Sequence, residues 1–154
     1  DLVKTIVTIE PAAPPIRGVD TTNVRYRESG GLSWGVGNTP ITYDPPISEP
    51  SELSVELTSE AEGPDLVPCY QQTEPARQLI NLTDIPVLFM NGEGSYHRIF
   101  DHCLANWLNQ AGVDTEYVRM EEVGLPGNGH MMMLELNSKE IAEYIHIWLA
   151  ENIL

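Results

Sequence analysis

The residues most able to do chemistry in this chain are its four histidines, its two cysteines and a glutamate that ends an apolar run. His130 follows the glycine-rich stretch 124–129, and Glu10 follows the apolar run 3–9. An imidazole exchanges protons near neutral pH, and a carboxylate that accepts its hydrogen bond stabilises the imidazolium. The two residues therefore predict general acid–base chemistry, provided that the fold brings them together.

The remaining histidines and the cysteines are weaker candidates for a catalytic role. His97 and His102 fall at the start of a predicted helix and are candidates for lining a cleft, while His146 lies within a helix and is predicted to be structural. Cys69 and Cys103 are predicted either to form a disulfide or to pack as buried thiols, since neither lies on a strand-to-helix turn. We predict no metal, because the histidine spacing is poor and no Cys-x-x-Cys pair occurs, and no organic cofactor.

Charge and composition argue against several classes of protein. The 154 residues include 23 acidic and 8 basic side chains, for a net charge of -15. A phosphate-binding surface needs clustered Lys and Arg, so neither nucleic acid nor an anionic membrane is an expected partner. No apolar run approaches the roughly 20 residues of a membrane span. The opening residues 1–4 lack the order of a signal peptide.

One short motif bears on location. Asn81-Leu82-Thr83 is an acceptor sequence for N-glycosylation, which a secreted protein could use. We therefore expect secretion in preference to a cytoplasmic location.

Strands that could position Glu10 and His130 are predicted from apolar, β-branched runs. These runs cover residues 3–9, 85–90 and 115–120. The first two are apolar enough to be buried on both faces, as in a parallel sheet. The third alternates between apolar and polar residues, as in a strand with one face more exposed to solvent. Glu10-Pro11 ends the first strand, because proline cannot donate to a sheet ladder.

Two helices are predicted to follow the second and third strands. One has its apolar face between residues 99 and 111 and stops at Gly112, and the other begins at a capping-box-like sequence, 137–140. The order of strand, excursion, strand, helix, strand and helix is typical of a parallel α/β sheet. Catalytic groups in such folds gather at the carboxyl edge of the sheet, where Glu10 and His130 are both expected.

The excursion is the segment 11–84, which connects the first predicted strand to the second. It contains ten of the chain's 12 prolines and shows no lasting helical period, apart from a predicted short helix at 74–79. An irregular segment of this length is unusual in a compact domain unless it has a task of its own. Its aromatic residues favour an ordered segment over a disordered one, so we predict an ordered cap.

Three aromatic residues of the excursion are candidates for substrate contact: Trp34, Tyr43 and Tyr70. They would wall a pocket for an apolar acyl or alkyl group. The alternative is that they form the small core of the cap itself.

The element order, with a loop ending Gly127-Asn128-Gly129-His130 before the last helix, resembles the C-terminal half of an α/β-hydrolase. The resemblance covers nearly the whole chain and matches its three strands to the sixth, seventh and eighth strands of that family. It implies an α/β fold in which 1–10 and 85–154 belong to the hydrolase core. Residues 11–84 then correspond to the cap that the family inserts between strands six and seven.

The resemblance also implies catalytic roles. His130 would be the general base toward a serine and then the general acid toward the leaving group. Most of the family carries its acid just past strand seven, where this chain has Ser95 in place of the expected aspartate. A subset places the acid directly after strand six, which is the position of Glu10. We rank Glu10 first and Glu93 second as the acid, and His97 is a candidate for contacting the substrate.

The family's nucleophile elbow, a Gly-x-Ser-x-Gly motif on a strand-to-helix turn, is not predicted in this sequence. The bare pattern occurs once, at Gly31-Leu32-Ser33-Trp34-Gly35, within the irregular excursion. By the same mapping the elbow would precede Asp1, so the serine and the oxyanion-hole amides are expected on an N-terminal portion or a separate, tightly bound chain. The implied function is a serine hydrolase that cleaves a small carboxylic ester. The alternatives are a lyase or C–C hydrolase on the same fold, and a non-catalytic binding protein.

Overall fold

The computed structural model describes residues 2–11 and 13–153. Asp1, Ala12 and Leu154, which fall within the predicted core and cap, lie outside the described residues. The strands in chain order are β1 (Ile6–Ile9), β2 (Val19–Asp20), β3 (Arg25–Tyr26), β4 (Val55–Leu57), β5 (Tyr70–Gln72), β6 (Val87–Asn91) and β7 (Thr115–Arg119). The two α-helices of the described residues are α1 (Asp101–Gln110) and α2 (Ser138–Ile153).

A three-stranded parallel sheet organises the fold, in the order β1-β6-β7. Ile6 of β1 pairs with Val87 of β6, which pairs in turn with Thr115 of β7. The prediction of a mixed α/β fold with a parallel sheet is therefore confirmed. All five residues of β6 are buried, because strands flank it on both edges and helices cover both faces.

The first strand packs on both faces, with Ile6 against one hydrophobic cluster and Val7 and Ile9 against another, but it is less buried than predicted. All four residues of β1 are only half-buried, and the strand begins at Ile6 instead of Val3. The reason is its position: among the described residues β1 pairs with β6 alone, so its other edge has no strand beside it.

Alternate residues of β6 supply two hydrophobic cores. Val87 and Phe89 pack with Trp107 and other residues of α1 on one face of the sheet. Leu88 and Met90 pack with Trp148 and other residues of α2 on the opposite face. The α/β core is thus a helix–sheet–helix sandwich, in which a central strand must be apolar at every position. Neither helix of the described residues is long and apolar enough to cross a membrane.

Residues 13–84 form a connecting segment that is mostly irregular. Its regular pieces are two antiparallel strand pairs, β2 with β3 and β4 with β5, and a short 3-10 turn at Pro50–Glu52. The predicted helix at 74–79 is wrong. Gln78 exchanges backbone hydrogen bonds with Asp44 instead, and this bridge requires extended geometry.

The connecting segment is fastened to α1 in two ways. A disulfide joins Cys69 to Cys103 of α1, which settles the alternative left open for the two cysteines. The amide side chain of Gln110, at the end of α1, both accepts from the backbone N–H of Gln72 (2.9 Å) and donates to its carbonyl oxygen (2.8 Å). These contacts hold the segment against the helix that follows the central strand.

Candidate active site

Glu10 lies directly after β1, at the carboxyl edge of the sheet. Its backbone N–H donates to the carbonyl oxygen of Met90 in β6 (3.1 Å), which extends the parallel pairing by one residue. Its φ of 48° lies in the left-handed region that residues other than glycine seldom adopt. The carboxylate is thereby turned inward, and its side chain has 0% of its surface exposed.

The buried carboxylate of Glu10 accepts hydrogen bonds from three groups. The backbone N–H of Gly92 donates to Oε1 at 2.8 Å. The hydroxyl of Ser95 donates to Oε2 at 2.6 Å, and Nδ1–H of His130 donates to the same oxygen at 2.6 Å. A carboxylate held by donors on both oxygens has one orientation, and it fixes the position of the imidazole Nδ1 atom that bonds to it.

His130 is carried by a loop that is tied to the end of β6. Asn128, just before it, donates from its side-chain amide to the carbonyl oxygen of Leu125 (2.8 Å), and its own carbonyl accepts from the N–H of Gly94 (2.8 Å). A Cβ atom at position 92 would collide with the carbonyl oxygen of Asn128, so glycine is required there for the close approach. The His130 side chain remains 38% exposed, which leaves its ring accessible from outside.

A second histidine–carboxylate pair lies against the first. Nδ1–H of His97 donates to Oδ1 of Asp101 at 3.0 Å, and both side chains are buried. Asn91, the last residue of β6, donates from its side chain to Oδ2 of Asp101 at 3.1 Å. The His97 and His130 rings stack with centroids 4.8 Å apart and planes 7° apart.

Burial dominates the electrostatics of the second pair. It raises the pKa of Asp101 to about 6, against the opposing effects of the hydrogen bonds from His97 and Asn91. The negative charge of Glu10 raises the pKa of Asp101 further. Two carboxylates and two imidazoles therefore lie in one polar cluster, of which the His130 ring is the partly exposed member.

The structure brings some of the predicted site residues together and leaves others apart. Glu10, His97 and His130 meet in one cluster, whereas Glu93 is exposed and accepts from the N–H of Gly127 (2.9 Å). His102 is buried away from a cleft, with Nε2–H donating to the carbonyl oxygen of Val67 (3.1 Å). Burial lowers the pKa of His102.

The aromatic residues of the connecting segment are packed into its interior. The hydroxyl of Tyr43 donates to the carbonyl oxygen of Trp34 (2.7 Å) and accepts from the indole N–H of Trp107 (3.2 Å). Trp34 and Tyr43 line a pocket of about 280 Å³ whose lining includes neither Glu10 nor His130. Tyr70 is half-buried, edge-on to Tyr26 at 4.8 Å. Substrate contact by these residues stays a prediction.

A smaller pocket lies closer to the histidine pair and was missed by the sequence analysis. Its volume is about 140 Å³, and it is lined by Tyr96 and Phe100 together with residues of the connecting segment, including Val19. Tyr96 also leans on His130, with ring centroids 5.1 Å apart. No sequence signal pointed to this pocket, because it forms between segments about 80 residues apart in the chain.

Three further residues of the site were also missed, and each had a signal. Ser95 falls where the resembled family has an acid, and it donates to the acid that is present. Asp101 follows His97 by four residues, the spacing of neighbours on one helical face. Asn91 is the last residue of a buried strand, where polar side chains reach the sheet edge.

The cluster of Glu10, His97 and His130 contains the atom types that bind transition metals, within 4.8 Å of one another. Its geometry fits a hydrogen-bonded pair better than a chelate. The 2.6 Å contact between Glu10 and His130 leaves no room for an ion between them, and near-parallel rings do not converge their nitrogen lone pairs on one point. The second group, Cys69, His102 and Cys103, has its sulfurs joined in a disulfide. The prediction of no metal stays a prediction.

Comparison with known proteins gives one similarity across almost the entire chain. No family model matches the sequence. A protein described as "Probable secreted lipase phiG", from Fungal sp. (strain ATCC 74256), is 37% identical over 150 residues, which is 97% of this chain and 40% of the lipase. The chain therefore spans about two fifths of the length of the curated relative that it matches.

A solved structure is similar over a shorter region. It is that of a novel bacterial esterase, 30% identical over 47% of this chain and 25% of the esterase, with a TM-score of 0.42. The chain is homologous to the probable secreted lipase.

Proposed function

We propose that this chain supplies the base and the acid of a serine hydrolase that cleaves carboxylic esters. The observation that carries the proposal is the 2.6 Å hydrogen bond between Nδ1 of His130 and a Glu10 carboxylate buried at the sheet edge. A carboxylate in this position selects the tautomer of the imidazole whose other nitrogen, Nε2, is free to accept a proton.

In the proposed reaction, Nε2 of His130 takes the proton of a serine hydroxyl while the serine oxygen attacks the ester carbonyl. The imidazolium that forms is stabilised by Glu10, and it then gives its proton to the departing alkoxide. Water repeats the sequence on the acyl-enzyme, which releases the carboxylic acid and regenerates the serine. The exposed part of the His130 ring is where a serine and a substrate would approach.

Glu10 is favoured over Glu93 as the acid because of its surroundings. Glu10 is fully buried and shares its Oε2 between His130 and Ser95, whereas Glu93 is exposed and bonded to Gly127. A buried, doubly fixed carboxylate has no freedom to turn away from the imidazolium, and water screens it little.

The serine itself is proposed to lie outside these 154 residues. The one Gly-x-Ser-x-Gly match, at 31–35, lies in irregular turns of the connecting segment and not between a strand and a helix, and the Ser33 hydroxyl donates to the Asn38 side chain (3.2 Å). Among the described residues no serine is hydrogen-bonded to His130. Ser95 lies beside the proposed acid, but its hydroxyl donates a hydrogen bond to the Glu10 carboxylate and not to His130. The length of the lipase relative leaves room for the nucleophile and the oxyanion-hole amides in a polypeptide outside this segment.

The substrate is proposed to be an ester with an apolar acyl or alkyl group of modest size. The pocket of about 140 Å³ is lined by Tyr96, whose ring lies 5.1 Å from that of His130, and it would take a short chain. The word "lipase" in the name of the relative is in keeping with an ester of this kind. Trp34, Tyr43 and Tyr70 stay candidates for the binding of longer groups.

Secretion is proposed on three grounds. The disulfide between Cys69 and Cys103 is of a kind that persists in oxidising compartments. Asn81 of the glycosylation sequence is exposed, and the relative is described as secreted. We also propose that residues 1–10 and 85–154 belong to an α/β-hydrolase core and that 11–84 form its cap.

The test of this function is His130→Ala in the full-length protein, purified with any polypeptide that accompanies it. Loss of the base is expected to lower kcat/KM for a p-nitrophenyl ester by about ten-thousand-fold or more, with little change in melting temperature. His146→Ala, at an exposed position of α2, is the matched control and should keep full activity. Near-native esterase activity in His130→Ala would refute the proposal. Turnover by the native protein of a substrate that has no ester bond would favour a lyase.

A further inference from the structure

We propose that His97 is a positioning residue that holds the plane of the His130 ring, and that Asp101 and Asn91 hold His97. The role rests on the proposed function, since it concerns the same base. The geometry points to it: two imidazoles lie parallel within 7°, and each is anchored through Nδ1 by its own carboxylate.

Glu10 alone does not fix His130. A single hydrogen bond at Nδ1 sets the distance to the carboxylate, but small changes in the two side-chain torsions of His130 still tilt the ring and displace Nε2. A flat partner against the face of the ring restricts this tilt. His97 provides such a partner at a centroid distance of 4.8 Å, while Tyr96 leans on the same ring at 5.1 Å and 50°.

His97 is itself rigid. Its side chain is buried, its backbone N–H donates to the Ser95 hydroxyl at 3.1 Å, and Nδ1–H donates to Asp101 at 3.0 Å. Phe100 packs on it with ring centroids 4.8 Å apart. Through Asn91, the last residue of β6, the pair is anchored to the central strand. The plane of the His97 ring, against which His130 stacks, is therefore fixed by contacts to the sheet.

A buried histidine–carboxylate pair is costly, which argues that the site uses it. An apolar side chain of the same volume would pack here without desolvating a charge. Burial raises the pKa of Asp101, a direct sign that its charged form is unfavourable at this position. The pair provides what an aliphatic side chain does not, which is a flat ring, that of His97, whose plane is fixed and which is polarised by the Asp101 carboxylate. This ring lies against the His130 ring, which becomes cationic during the proposed reaction. Attraction between a cationic ring and an aromatic face adds to the effect of Glu10.

The experiment compares two variants that fill the same space, made in an Asp101→Asn background so that no carboxylate is left buried and unpaired. His97→Phe keeps a flat ring, and His97→Leu keeps the volume without one. In the full-length protein we expect His97→Phe to retain kcat within threefold of Asp101→Asn. We expect His97→Leu to lose about 10- to 100-fold in kcat, with KM for a small ester nearly unchanged.

Activity is expressed per folded enzyme, from the amount of p-nitrophenol released in the first turnover. His146→Leu, on the exposed face of α2, is the control for a histidine-to-leucine change elsewhere. Equal kcat in the Phe and Leu variants would overturn the proposal. Failure of both variants to fold would also overturn it, because the imidazole of His97 would then be needed for folding and a flat ring in its place would not suffice.

A second readout does not depend on esterase activity. The proton between Nδ1 of His130 and Glu10 should give a strongly deshielded proton resonance, assigned by its loss in Glu10→Gln. It should persist in the Phe variant and broaden or disappear in the Leu variant. If the native protein has no esterase activity, the proposed function fails, but this comparison still tests the stack. An unchanged resonance in the Leu variant would contradict it.

Discussion

Glu10 has a backbone conformation that a residue with a side chain rarely adopts, with φ at 48°. Such conformations cost about 1–3 kcal/mol and persist where the surroundings fix them. Here the backbone N–H bonds to Met90, and the carboxylate bonds to Gly92, Ser95 and His130. The strain is therefore found at the residue whose orientation the proposed chemistry needs most.

Ser95→Ala tests whether the second donor to Glu10 matters. Removing a charge-assisted hydrogen bond of 2.6 Å from a buried carboxylate should reduce kcat about tenfold, much less than the loss of His130. Steady-state kinetics at saturating ester would measure the effect, with Ser59→Ala at an exposed position as the control. A complete loss of activity on replacing Ser95 would instead identify Ser95 as the nucleophile and would contradict its assignment here.

Asp101 predicts a specific dependence of stability on pH. Burial raises its pKa in the folded protein from 3.8 to about 6, so the folded state binds more protons than the unfolded state between these values. Its contribution to stability is therefore full below about pH 4 and is lost as the pH rises to about 6.

The measurement is the free energy of unfolding of the native protein and of Asp101→Asn, by urea denaturation at pH 4 and pH 7. Relative to the variant, the native protein should lose on the order of 3 kcal/mol across this range. A difference between the two proteins that stays constant with pH would show that Asp101 titrates normally.

At the scale of elements, the site is assembled from the carboxyl ends of neighbouring strands. Glu10 follows β1, Asn91 ends β6, and His130 comes on a loop after β7. The sequence predicted the first and last of these, because an apolar run ending in Glu10-Pro11 and a glycine-rich loop before His130 are local signals. It did not predict the Asp101–His97 pair, because that contact depends on a 3-10 turn, Tyr96–Ile99, that leads into α1.

The disulfide is the element-scale contact with the largest expected effect on stability. Cys69 and Cys103 are 34 residues apart, and closing a loop of this length restricts the unfolded chain by about 3–4 kcal/mol. Cys69→Ser with Cys103→Ser should therefore lower the free energy of unfolding by about this amount, measured by denaturant titration. A loss below about 1 kcal/mol would show that the contacts between Gln72 and Gln110 suffice to hold the connecting segment.

At the scale of the molecule, the described residues make a sheet with an open side. Ile6 and Glu10 use their N–H groups to bond β6, so the N–H groups of Val7 and Ile9, alternating with them, face the opposite edge. β1 carries no charged side chain within Ile6–Ile9 that would discourage pairing. This edge is where we propose that the polypeptide bearing the serine adds to the sheet, which also explains why β1 is only half-buried.

The sequence predicted the α/β class and the parallel order well, because apolar β-branched runs and amphipathic helices are properties of short windows. It failed where structure depends on distant pairing. The predicted helix at 74–79 gave way to a bridge between Asp44 and Gln78, and the pocket beside Tyr96 joins segments that no local pattern connects. The hydrogen bonds of Tyr43 to the Trp34 backbone and to Trp107 of α1 are likewise contacts that no local pattern shows, while substrate contact by Trp34 and Tyr43 stays a prediction.

The central claim is that His130 and Glu10 activate a serine carried by polypeptide outside these residues. Treating the purified full-length protein with a fluorophosphonate, which phosphonylates an activated serine with loss of fluoride, followed by peptide mapping, tests it most directly. We expect one labelled serine outside residues 1–154, and a labelling rate that falls by at least a thousandfold in His130→Ala. No labelling, labelling of Ser95, or an unchanged rate in the variant would contradict it.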